Sequence, residues 1–510
     1  AAGPRPPHPV PDAAPPPLRI LVVGGGSAGW LAAATLDAAL NRKGVRAAAI
    51  TLVESAETPR IGVGEATIPT IRRTLRRLGV PEAAFLRAAD ATFKQAIVFE
   101  GWGPPGGAFS HPFHTLLGDG AEQAGARFLR SDRRTPFADL VTPQPALAAA
   151  GRAPRRAEDA DYAGRLPYAY HMDADAFAET LAARACARGV ARLSAHVEGV
   201  ERGPDGAVAA VVARDARRLA ADLFVDATGF RRLLIGEGSF RDQSRHLICD
   251  SAVALRAPPA PRPTPPLTVA RATGVGWTWD IPLRSRRGRG HVHASAHAGP
   301  DAAEAELRAA TPGADGEARR LSFRVGRLSR PWEGNVVAVG LAAGFVEPLE
   351  STGLHLADLA AGLLAENAPL SGPNPALARA YNARLVAAHD EIVDFVNLHY
   401  AASPRRDTPF WRDASDPARR TDRVAHLLEL WEARPPVAAD FPSTLQAFNH
   451  RNWEFILHGL GWSPRALAGA PPGPRLPAPP EVVARARELA AALPTHDALL
   501  DALAPAAEPA

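Results

Sequence analysis

Gly24, Gly26 and Gly29 stand in the order Gly-x-Gly-x-x-Gly. That spacing suits a phosphate. The first glycine lets the chain turn, the second lets the backbone approach a pyrophosphate, and the third lets a helix pack close to its strand. Ser27 and Ala28 complete the turn, and the helix that opens there directs its N-terminal amides and positive dipole end at phosphate charge. The elements that must hold this turn flank it. "LRILVV" reads as an apolar strand, an Ala-rich helix runs to about Arg42, and "AAAITLVES" is a second strand. That strand ends in Glu54, where an acid accepts from ribose hydroxyls. Strand, turn, helix, strand and acid together predict a dinucleotide-binding unit. On this unit alone NAD and FAD both stay open.

The chain has 510 residues, 46% hydrophobic and 22% charged, which is ordinary for a soluble globular protein and enough for two or three packed units. Net charge is +4, with the basic residues scattered in short runs. No basic stripe or known module argues for nucleic acid. Cys186 and Cys249 fall in different segments and outside any CxxC pair, so no metal site and no disulfide scaffold is expected, and a reducing cytoplasm is the simplest compartment. Residues 1–17 form a Pro-rich disordered lead-in without the apolar core of a secretory signal. No run of about 18 apolar residues exists, so no membrane span is expected. Residues 72–92, 173–190 and 376–400 read as helices, 191–213 as a strand pair around a Pro-Asp-Gly turn, and the chain after 410 as mostly helix and loop.

Two later segments decide between the cofactors. "DLFVDATGF" (222–230) is an apolar strand ending in Asp226 and leading to Gly229, and residues 334–366 again read as strand, glycine turn and helix. Such discontinuous pieces resemble the large FAD-binding fold of flavin monooxygenases, an α/β fold in which the last segment passes near the flavin ring. The expected organisation is an FAD-binding domain over 18–370, with inserted substrate-side elements, and a mainly helical region over 371–510 that covers the substrate site. No second GxGxxG is evident, so reduction of the flavin is assigned to a partner.

Several motifs then coincide. "GWTWDIP" carries Trp277, Trp279, Ile281 and Pro282 in a WxWxIP pattern, "GVGEATIP" spans 62–69, "FVEPLESTG" spans 345–353, and "ATFKQAIVFEGW" (91–102) places a lysine in an apolar setting. "IVDFVNLHYAASPRRDTPFW" (392–411) adds Asp-Phe, His-Tyr and Phe-Trp pairs. Together these resemble the flavin-dependent halogenases of the tryptophan halogenase family. The resemblance implies that reduced FAD, supplied by a separate flavin reductase, oxygen and halide yield hypohalous acid. The oxidant then moves through the protein to a lysine beside an electron-rich arene, typically an indole. A homodimer is usual in the family.

Carried onto this chain, the lysine is Lys94. Its apolar neighbours Phe93, Ala96 and Ile97 would position the amine and lower its pKa by desolvation. Glu350 is the matching acid, able to take the arene proton or polarise the oxidant. Glu347 is the weaker candidate, readable also as a helix-start acid. Ser351, Thr352 and Gly353 precede a helix near Leu354, where free amides suit a halide and a Ser/Thr cap is equally at home. FAD contacts carry over to Gly24, Gly26, Ser27, Ala28, Glu54, Glu65, Ala66, Val197, Asp226, Gly229, Leu341 and Leu354. Trp277 and Trp279 share one strand face, with Pro282 ending the hydrogen-bond ladder, and would wall the flavin off from the substrate.

The substrate itself is less defined. His111 and Phe113 in "FSHPFH" would face one way and stack on an arene, with Phe448 and Trp453 as further aromatic contacts. Family members acting on free tryptophan carry an acid and an aromatic pair where this chain has Ser443, Thr444 and Gln446, and the nearest upstream acid is Asp440. A simple indole, a peptide or a larger aromatic compound therefore stays open beside tryptophan, as does chloride against bromide.

Overall fold

The first apolar run divides its side chains between two cores. In the strand Leu18–Val23, Ile20 and Val22 pack with Trp30 and Leu31 of the helix Ser27–Leu40, while Leu21 and Val23 pack with Val197, Val211 and Phe224. A strand buried on both faces belongs inside a parallel sheet. In the computed structural model, which describes residues 16–42, 44–58, 64–113, 116–117, 123–314, 316–441, 447–467 and 471–504, it is the third of six strands. The order is Ala191–Ser194, Ala48–Glu54, Leu18–Val23, Leu223–Asp226, Val336–Ala338 and Trp332–Glu333, all parallel except the last pair. Three segments far apart in sequence thus meet at one sheet, as expected for a discontinuous FAD-binding fold.

A second, seven-stranded sheet faces the first unit. The tryptophan strand Gly276–Pro282 is its middle strand, between Arg287–His293 and Leu267–Ala272. On the far side of Leu267–Ala272 lie Ala96–Glu100, paired parallel, and Ala108–Pro112. A small three-stranded sheet places Ala169–Met172 between Glu65–Ala66 and Thr92–Lys94, with Glu65 opposite Met172 and Lys94 opposite Ala169.

The helix Pro375–Ala401 starts with Asn374 accepting the amide of Ala376 and with proline at its first position. Its second half is buried nearly all round, so it runs through the core and carries Phe395, His399 and Tyr400 inward.

Two sequence readings change. Residues 72–92 form two helices, Ile71–Leu78 and Glu82–Ala88, and then a strand, because Gly79 takes a left-handed cap (φ 66°) and Pro81 follows. Of the segment 191–213, only Val197–Arg202 and Val208–Ala213 pair around the Pro-Asp-Gly turn; Ala191–Ser194 joins the parallel sheet. Most of the Pro-rich lead-in lies outside the described residues. No helix among the described residues is long and apolar enough to cross a membrane.

Candidate active site

The glycine turn borders a cavity of about 410 Å³. Its wall runs from Gly24–Ala28 past Glu54, Val197, Thr228 and Gly229 to Trp277, Trp279, Leu341, Ser351 and Leu354. Each glycine has its own steric reason. Gly24 has φ +118°, and a Cβ there would fall 2.3 Å from the Ala227 carbonyl oxygen. A Cβ on Gly29 would lie 1.9 Å from the Gly24 carbonyl, so the helix packs on the turn only without one. Gly26 meets nothing within 4 Å, leaving bare backbone on the cavity wall. Glu54 folds beneath the turn, one oxygen against Gly25 and the other accepting from Arg192 at 2.5 Å. The bare turn, the uncapped helix start and an apolar far end fit a dinucleotide that carries a flavin. Glu65 and Ala66 also line the cavity, and burial pushes the Glu65 carboxyl up to about 7.

Asp226 differs from the expectation. It is fully buried and absent from the cavity wall. Its carboxylate accepts from the amides of Thr228, Leu234 and Ile235 and from the Thr228 hydroxyl. Those bonds shape the loop that presents Thr228 and Gly229 and leave the acid no face for a ligand.

The tryptophan strand closes one side of the cavity. Trp277 and Trp279 project to the same face, with ring centroids 6.2 Å apart and planes at 57°. The Trp277 indole donates to Glu347 Oε2 at 3.0 Å. Glu347 also accepts from the Tyr400 hydroxyl, and burial pushes its carboxyl up to about 7. It is therefore an anchor for the aromatic wall. Trp279 lies across the neighbouring strand at Gly290, where a Cβ would fall 2.0 Å from its ring. Pro282 ends the strand, and its carbonyl accepts from Thr92, two residues before Lys94.

Lys94 is fully buried. Its ammonium donates to the Thr67 carbonyl at 3.1 Å and to Ser351 Oγ at 2.8 Å, with the Phe113 ring centroid 5.3 Å away. Burial pushes the amine down to about 7, against the pull of Glu350. Ser351 also lines the cavity, so one residue borders both the cavity and the buried cluster around Lys94. It holds a left-handed backbone (φ 61°), which a non-glycine residue rarely adopts.

Glu350 adjoins Ser351 and is 1% exposed. His111 Nδ1 reaches both its oxygens, at 3.0 and 2.9 Å, and His399 Nε2 lies 2.8 Å from Oε1. Burial alone would raise this carboxyl; His111 and then His399 outweigh it and hold it at about 2. Next in sequence, the helix Gly353–Glu366 opens with Thr352 at its cap, and no side chain caps it. The amides of Thr352 and Gly353 have no backbone acceptor among the described residues.

Phe448 stacks on Phe395 (4.0 Å, 22°) with its ring 6.0 Å from that of His111. Trp453, expected beside the substrate, is enclosed by Phe395, Trp431 and Phe441 and sits one layer deeper, as helix packing. Asp440 is already engaged by Trp431 and Arg434. Ser443, Thr444 and Gln446 lie outside the described residues, as do Gly62 and Val63 of "GVGEATIP".

Sequence reasoning named His399 only within its His-Tyr pair, without a role, and missed Asn452 and Gly290. It also left a strong signal unused: the chain holds only two lysines, Lys43 and Lys94, among 58 basic residues. Where arginine serves almost every structural need, a buried lysine marks a position that needs an amine able to lose its proton.

Residues 19–470 match the family described as tryptophan halogenase. The tryptophan 7-halogenase RebH of Lentzea aerocolonigenes is 35% identical over 497 residues, covering 90% of this chain and 91% of that protein. Among solved structures, the tryptophan halogenase of Shewanella frigidimarina superposes with TM-score 0.87 at 30% identity, over 96% of this chain and 98% of that one. The flavin-dependent halogenase Xcc4156 of Xanthomonas campestris gives 0.85 at 35% identity, over 97% and 99%.

Proposed function

The chain belongs to the tryptophan halogenase family and is a flavin-dependent halogenase, and from that premise we propose that Lys94, Glu350 and the turn 351–353 carry its chemistry. The observation that carries the reading is Ser351, which lines the cofactor cavity and accepts a hydrogen bond from the buried amine of Lys94.

FAD would be held by the turn Gly24–Gly29, by Glu54 and Glu65, and by Val197, Gly229, Leu341 and Leu354 along the wall. When bound and reduced it supplies two electrons to oxygen, so that halide becomes hypohalous acid. A separate flavin reductase restores it. The chain's own residues do the rest. The amides of Thr352 and Gly353, at the start of a 14-residue helix, hold the halide with its negative charge on the dipole's positive end. Trp277 and Trp279, fixed by Glu347 and Gly290, keep the arene away from the cofactor. The oxidant passes Ser351 and reaches Lys94. With its pKa near 7, a large share of that amine is free base at neutral pH. It either donates a hydrogen bond to hypohalous acid or exchanges an N–H for N–halogen with release of water. In both cases halogen is delivered as an electrophile to the arene, and Glu350, ionised, takes the displaced ring proton.

The substrate is an electron-rich arene of the indole type, stacked near His111, Phe113 and Phe448. The test is product mass and isotope pattern from a panel of tryptophan, indole, tryptophyl peptides and phenols, given FAD, a reductase and bromide. Halogenated indoles are expected. Oxygen insertion independent of halide would overturn the reading.

A further inference from the structure

The hydrogen bonds around Glu350 locate its protons. Asn452 accepts the Asn449 amide through Oδ1, which leaves its Nδ2 to donate to His111 Nε2 at 2.8 Å. His111 therefore carries its proton on Nδ1 and is neutral, donating that N–H to Glu350. His399 is different. Its Nδ1 lies 2.9 Å from the Phe395 carbonyl, which can only accept, so Nδ1 is protonated. Its Nε2 lies 2.8 Å from Glu350 Oε1. Two acceptors flank one ring, so either both nitrogens bear protons or Glu350 does. Glu350 already receives the His111 N–H on both oxygens, which favours the carboxylate.

Lys94 makes no contact with this carboxylate; its donors go to Thr67 and Ser351. The remaining ionisable groups facing the trio are His171 from the strand Ala169–Met172 and Glu347, one turn away. His496, beyond, is bonded to the Phe93 amide and the Thr264 carbonyl. One negative charge is thus buried beside two groups able to be positive.

We propose that His399 is a positioning residue kept as an imidazolium, the buried counter-ion of Glu350, and that this pairing releases Lys94 from carrying charge and keeps its amine a free base. The proposal rests on the assignment of Lys94 and Glu350 above and goes further, since it assigns the amine's reactivity to a third residue on another helix. If the pairing holds, the two partners move Lys94 in opposite directions. Removing the cation leaves Glu350 to stabilise the ammonium; removing the anion withdraws that stabilisation.

With only two lysines in the chain, [13Cε]lysine NMR of the whole protein reads Lys94 directly, and Lys43→Arg assigns the other signal. His399→Gln is expected to raise the Lys94 titration midpoint by about one pH unit or more, and Glu350→Gln to lower it. The acidic limb of the halogenation pH profile should move with the first shift. A Lys94 midpoint unmoved in a folded His399→Gln protein would overturn the proposal. Should that variant not fold, 15N imidazole spectra of the native protein decide: two protonated nitrogens on His399 at neutral pH uphold it, and one overturns it. Opposed shifts together with halogenation that survives Lys94→Ala would uphold the ion pair and remove Lys94 from the reaction, so the two readings fail separately.

Discussion

The cavity and the buried cluster that meet at Ser351 are built from different materials. The cavity at the glycine turn is made of what residues lack: Gly24, Gly26 and Gly29 contribute bare backbone, and the helix after them contributes uncapped amides. The cluster around Lys94 is made of what side chains carry: an amine, a carboxylate and two imidazoles, all nearly free of solvent. The first offers shape and fixed dipoles, which an added Cβ at Gly24 or Gly29 disrupts. The second works through proton positions, which a single-atom substitution changes while leaving the shape intact.

The sharpest way to separate them is Lys94→Ala. Halogenation is expected to fall roughly 10²–10⁴-fold, while FAD binding, read by fluorescence titration, stays as it was. Loss of both together would mean that the cavity and the cluster are one. On the cofactor side, Gly29→Val is expected to weaken FAD binding at least about 100-fold, or about 2.8 kcal/mol, because its Cβ falls 1.9 Å from the Gly24 carbonyl. Tight FAD binding by this variant would show that the turn can relax.

These two positions also measure what was legible. The glycine turn was readable because its whole logic is local: six residues and two flanking strands. The burial of Lys94 was readable from its apolar neighbours. Asp226 misled, because an acid at a strand end has the same sequence signature whether it meets a ribose or its own loop, and only the bonds to Thr228, Leu234 and Ile235 tell them apart. His399 was visible in its His-Tyr pair, but its role was not, since that depends on Glu350, 49 residues away in sequence. Gly290 is silent for a related reason: the ring that forbids its Cβ belongs to the next strand.

Gly290→Ala tests the tryptophan wall. Overpacking against Trp279 should lower stability by about 1–3 kcal/mol and displace the indole, so that less of the oxygen consumed appears as halogenated product. Unchanged coupling, in this variant and in Trp279→Ala, would return the tryptophans to ordinary packing. The smallest effects are in pH. An amine with its pKa near 7 gains free base as pH rises, so halogenation limited by Lys94 should increase about tenfold from pH 6 to 8 and then level. Glu350 acts on stability with its own sign. Its folded pKa of about 2 lies below the ordinary carboxyl value of 4.5, so its contribution is fully present above about pH 4.5 and is lost as pH falls towards 2. Thermal melts of Glu350→Gln should therefore lack part of the acid dependence of the parent; parallel curves would place Glu350 outside this balance.

The turn Pro348–Gly353 has one more consequence. Within six residues it supplies the acid, the hydroxyl bonded to the lysine, the paired amides of a helix start and part of the cavity wall. Its serine sits at a backbone angle where glycine would be the easier choice, so the hydroxyl is retained against conformational preference. A designer who wishes to exchange the substrate half of this enzyme cannot cut the chain here. The cavity wall and the Lys94 cluster share a single hinge of sequence, and altering it for one alters it for both.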